Sequence, residues 1–128
     1  MAQLGDIVFD CRHPASLARF WAAALDGYAV APYDEAELAR LRAKGIFDVE
    51  DDPMVVVERV DGAGLRLLFQ LVPEPKTAKN RVHLDLRADD PRAELNRLTA
   101  LGARLLADHD SFLVLADIED NEFCLSGR

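Results

Sequence analysis

The chain alternates between short runs of period-two apolar and polar residues and longer stretches with apolar residues every three or four positions. The first run, GDIVFDC at 5–11, sets Ile7, Phe9 and Cys11 on one side and Asp6, Val8 and Asp10 on the other, which predicts a strand. HPASLARFWAAALDG follows, with Pro14 suited to a first helical turn, a stripe of Leu17, Phe20, Trp21 and Leu25, and Gly27 as the stop. That spacing predicts an amphipathic helix. YAVAP at 28–32 predicts a short strand, and DEAELARLRAKG at 34–45 predicts a helix capped by Asp34 and ended by Gly45. After the acidic turn VEDDP, the runs MVVVERV and LRLLFQLV predict two strands joined by a hairpin turn, DGAG at 61–64.

PEPKTAKN at 73–80 is a polar, proline-bearing connection, and beyond it the pattern restarts. A strand is expected at 81–87, with Val82, Leu84 and Leu86 on one side and His83, Asp85 and Arg87 on the other. A helix opens at Asp90-Pro91 and closes at Gly102. Strands follow near 103–108, 111–116 and 122–126, with DIEDN turning between the last two. An offset of 77 carries Asp6 onto His83, Ile7 onto Leu84, Phe9 onto Leu86, Pro14 onto Pro91 and Trp21 onto Leu98. Both halves therefore read βαβββ, the first with a helical insert at 34–45. Neither half buries its own sheet alone, so the expectation is one domain, 1–128, built from two modules at about 4–72 and 81–127 with a linker at 73–80. The insert is expected to pack at one end of a pocket as a lid.

Composition narrows the class. The chain has 128 residues, half of them apolar and 30% charged, enough to bury a core without staples. No apolar run reaches the length of a membrane span, and the first residues lack the pattern of a secretory signal, so a cytoplasmic protein is expected. A net charge of -8 argues against nucleic acid or an anionic membrane as partner, since both need a basic footprint. Cys11 and Cys124 show no zinc or disulfide spacing and read as free thiols. Ser16, Ser111 and Ser126 are the only serines, and none sits in a nucleophile motif.

The segments SLARFW, VHLDLRADDPRAELNRLTALGA and LADIEDNEFCL, set on a doubled βαβββ frame, resemble the vicinal oxygen chelate superfamily of glyoxalase and bleomycin-resistance folds. LLFQLVPEPKTAKNRVHLDL and DNEFCL resemble its glyoxalase-like branch most. The resemblance implies an α+β fold in which two modules form a U-shaped mixed sheet with helices outside and a central pocket, and it implies a homodimer. On such a fold His83, Asp85 and Arg87 line the pocket, together with Asp6, Val8 and Asp10, with Arg66, Leu68 and Gln70, and with Glu122, Cys124 and Ser126.

Metal-using relatives take ligands from the first and last strands of each module. Carried over residue by residue, those positions fall on Asp6, His83 and Cys124, and less surely on Gln70. The usual ligands are His, Gln or Glu, so of Asp6, His83 and Cys124 only His83 is of the usual type, Cys124 standing where a glutamate is normal. A thiolate is softer and favours zinc, iron or copper over an ion that must cycle water. No metal is assigned on these grounds; if a divalent metal binds, Asp6, His83 and Cys124 are its candidates. The catalytic candidates are His83, as pocket base or metal ligand, and Asp85 beside it. Asp6, Gln70, Arg87, Glu122 and Cys124 are candidates for binding a small organic molecule. Two functions stay open: an enzyme of lyase, isomerase or dioxygenase type, and a non-catalytic or antibiotic-sequestering binding protein. Plainer readings hold for other residues. Cys11, Phe20 and Trp21 read as core, Lys76, Lys79 and Arg81 as a solvated loop or, at a pocket mouth, as an attraction for an anionic substrate, and His13 and His109 carry no assigned role.

Overall fold

Prolines, caps and glycines set the helix boundaries where the sequence places them. In the computed structural model, which describes all 128 residues, β1 (Asp6–Cys11) leads into α1 (Pro14–Ala24), whose first residue is Pro14. There follow β2 (Tyr28–Val30), α2 (Glu35–Ala43), a 3₁₀ turn (Val49–Asp51), β3 (Met54–Arg59) and β4 (Arg66–Leu71). The Asp34 carboxylate starts α2 by accepting the Glu37 amide at 2.8 Å. These elements form one compact unit, Met1–Pro75, and the rest of the chain, Lys76–Arg128, forms a second. The second unit contains β5 (Asp85–Ala88), α3 (Pro91–Ala100), β6 (Arg104–His109), β7 (Phe112–Ala116) and β8 (Glu122–Gly127). Asp90 caps α3, accepting the amides of Arg92 and Ala93 at 3.1 Å each.

The sequence repeat folds into two sheets of the same topology. Strand order is β1-β4-β3-β2 in the first unit and β5-β8-β7-β6 in the second. In each, the first strand runs parallel to the last and the remaining neighbours are antiparallel. The fold is α+β, with three α-helices and two mixed four-stranded sheets. The first unit buries Leu17, Phe20 and Trp21 of α1 with Val55, Val57, Leu67 and Phe69 of the sheet. Phe9 joins this core through ring contacts to Trp21 at 5.5 Å and to Phe69 at 5.0 Å. Cys11 is buried there as expected, its thiol directed at the Gln70 carbonyl. The second unit buries Leu98, Ala103, Leu113, Leu115, Phe123 and Leu125. No helix is long and apolar enough to cross a membrane.

Two expectations are corrected. The strand expected at 81–87 begins only at Asp85, because the first ladder bond on this side is Cys124 N–H to the Leu84 carbonyl at 2.9 Å. Upstream, the chain is held by side chains instead: the Asn80 amide donates to Glu122 at 2.9 Å and its side chain to Asn121 at 3.3 Å. Val82 consequently leaves the apolar side and is 78% exposed, while Leu86 is only half-buried. Lys76 is exposed in its loop as expected, and there it donates to Glu122 at 3.0 Å. Within β6 the register shifts between Leu105 and Ala107, and both Leu105 and Leu106 are exposed.

Candidate functional site

The parallel pairing of β5 with β8 sets Asp85 opposite Cys124 and Arg87 opposite Ser126. His83 lies two residues before Asp85, just upstream of the strand, and both are exposed beside a half-buried Cys124. His83 Nε2 lies 3.3 Å from Asp85 Oδ1. One donor atom from each of His83, Asp85 and Cys124 falls within 4.8 Å of the others. Burial pushes the Cys124 thiol up, and the charge and hydrogen bond of Asp85 push it further. Near neutral pH Cys124 is therefore a thiol, not a thiolate.

The start of β8 is fixed by a turn built on a buried acid. Asp117 Oδ1 accepts the amides of Glu119 at 2.8 Å and Asn121 at 3.0 Å, and its other oxygen accepts the Asn121 side chain at 2.9 Å. Asp120 adopts φ 69°, a left-handed conformation that aspartate tolerates in turns. The DIEDN segment thus delivers Glu122 and Cys124 to one face in a defined register.

The other predicted site residues are engaged within their own units. Glu122 is taken up by Lys76 and the Asn80 amide. Burial works to raise its carboxyl, but these two donors outweigh it and hold the group below its ordinary range. Arg87 reaches the Gly127 carbonyl at 3.5 Å. Asp6 gives both oxygens to Arg66, at 2.8 and 3.0 Å, and that hydrogen-bonded guanidinium holds its carboxyl below the usual carboxylate value. Gln70 is half-buried opposite Asp10 of β1. His109, given no role from sequence, stacks on Phe112 at 4.8 Å.

Sequence reading missed Tyr33 and Asp52. Asp52 is 3% exposed and accepts the Tyr33 hydroxyl at 2.7 Å and the Met54 amide at 3.0 Å. Burial first, and the neighbouring Asp52 second, push the Tyr33 hydroxyl well above the usual tyrosine value. The only available signal was Asp52-Pro53 at the end of an acidic turn, which reads as solvated.

Two βαβββ units of identical strand order, with chemistry-bearing side chains on the paired first and last strands of the second, define a protein of vicinal oxygen chelate architecture. Residues 6–126 match the family described as the glyoxalase-like domain, and the chain belongs to that family. Solved structures share the fold. A glyoxalase/bleomycin resistance protein/dioxygenase family enzyme from Burkholderia phytofirmans PsJN is similar with a TM-score of 0.67 at 14% identity, over 98% of this chain and 98% of that one. The fosfomycin resistance protein FosX from Mesorhizobium loti gives 0.66 at 13% identity, over 98% and 91%. A FosX variant from Listeria monocytogenes, complexed with Mn(II) and 1S,2S-dihydroxypropylphosphonic acid, gives 0.65 at 10% identity, over 98% and 90%. No curated protein is a significant match in sequence.

Proposed function

We propose that the chain binds a small organic molecule against His83, Asp85 and Cys124 and removes a proton from it, as an enzyme of lyase, isomerase or dioxygenase type. The observation that carries this reading is the 3.3 Å approach of His83 Nε2 to Asp85. A carboxylate at that distance favours the proton on Nε2 and leaves Nδ1 as the basic nitrogen. The imidazole is exposed, so a ligand can reach it. The protonated Cys124 thiol, hydrogen-bonded to Asp85, adds a polarisable wall.

A second reading is favoured by the donor set itself. One imidazole, one carboxylate and one sulfur within 4.8 Å of each other fit a borderline-soft divalent ion such as zinc, with open positions on the exposed side. His83, Asp85 and Cys124 would hold it, Asp6 being committed to Arg66. Such an ion supplies Lewis acidity toward a substrate oxygen.

A fragment screen followed by NMR on the isotope-labelled protein tests the first reading. Hits are expected to shift residues 83–87 and 122–126, and hits with an acidic C–H are expected to exchange it for deuterium. His83→Ala should abolish the exchange while leaving the melting temperature nearly unchanged, because its side chain is exposed. Binding without exchange in the unmodified protein would instead favour the sequestering alternative. Cobalt titration tests the second reading. A thiolate-to-cobalt charge-transfer band that disappears in Cys124→Ser supports it, and no band overturns it.

A further inference from the structure

The first unit holds a cavity of about 450 Å³, a size that encloses a small organic molecule. The face of β3 bearing Met54, Val56 and Glu58 lines it, and the insert helix α2 contributes Ala36, Glu37 and Arg40. Two arginines line it, and neither is free for an anion. Arg40 gives its fork to Glu37 at 3.1 and 2.5 Å, and Arg66 gives its fork to Asp6 at 2.8 and 3.0 Å. A guanidinium already paired bidentately has little left for an incoming anion.

The carboxylates are in the opposite condition. Asp52 is buried, accepts only the Tyr33 hydroxyl and the Met54 amide, and has no cation within ion-pair distance. Glu58 is half-buried, its carboxylate makes neither a hydrogen bond nor an ion pair, and it acts on Arg66 only through its charge. With Asp34 and Glu37, four carboxylates line the cavity against two arginines, and Asp6 neutralises one of those arginines. A partly desolvated, undercompensated set of carboxylates draws in a cation.

We propose that this cavity binds a small organic cation, with an ammonium group at Glu58 and an apolar body against Val56 and Met54. The inference uses no residue of the His83 site and stands without it. The test compares benzylamine, benzyl alcohol and benzoate as probes of the full-length protein by NMR titration. Benzylamine should bind tightest and shift residues 31–40 and 52–58. Glu58→Gln, which keeps size and shape, should weaken benzylamine about threefold or more and leave benzyl alcohol unchanged. Ala36→Leu, which fills the cavity from α2, should weaken all binding and so provides a second variant should Glu58→Gln fail to fold. Benzoate binding as tightly as benzylamine, shifts centred outside these residues, or no saturable binding of any probe would overturn the proposal.

Discussion

The two units share a strand order but not a way of being held together. In the first, α1 buries seven of its residues, Trp21 and Phe20 among them, against the sheet. In the second, α3 buries Leu98 alone and relies on its Asp90 cap and an Arg97–Glu94 pair one turn apart. The apolar face is therefore deep in one unit and thin in the other. The same hydrogen-bonded ladder thus tolerates very different amounts of packing. The thinly packed unit also carries His83, Asp85 and Cys124, groups that need access to solvent and ligand more than burial.

Core truncation gives the largest expected effect. Trp21→Ala should cost about 3–5 kcal/mol, and Leu98→Ala about 2–3 kcal/mol, since a cavity in a thin layer collapses more readily. Urea denaturation of both variants checks this, and equal costs would dissolve the contrast between the units. Next comes capping. Asp90→Ala should cost about 1 kcal/mol and speed amide exchange at Arg92 and Ala93. His13→Ala, at an α1 start with no side-chain cap, should leave the first-turn amides of α1 unchanged.

The smallest effect concerns pH. The Glu122 carboxyl lies below its ordinary value because the Asn80 amide and Lys76 outweigh the opposing effect of burial. A carboxyl lowered in this way stabilises the fold fully above the unfolded value, about 4.3, and that contribution is lost as pH falls through the folded value. Glu122→Gln should therefore cost about 1 kcal/mol at pH 7 and progressively less in acid. Denaturation curves at several pH values check the sign, and a gap that widens in acid would refute it.

Much of this was legible in the sequence because the signals were local. Pro14, Asp34, Pro91 and Asp90 act within a turn of themselves, and the helices begin where they stand. The parity of β8 also held, placing Phe123 and Leu125 inside and Cys124 between them on the other face. What the sequence did not disclose depends on distant partners. His83 falls outside the ladder because Asn80 is tied to Glu122 and Asn121, a matter of residues some forty positions away. The irregularity in β6 leaves no mark in its composition. Asp52 and Asp117 look like solvated turn acids, yet both are buried because backbone amides reach them.

One feature of the second unit bears on how this chain tolerates variation. Gly102 follows α3 at φ 116°, and a Cβ there would fall 2.6 Å from Ile118 Cγ2. Any side chain at 102 would meet both a backbone conformation unfavourable to it and the branched Cβ substituent of Ile118. Ile118 directly follows Asp117, whose turn delivers Cys124 to its face. Position 102 is held to glycine on two counts, while position 118 is restrained by neither. A smaller residue at 118 removes the steric half of the barrier, but the left-handed backbone still selects glycine.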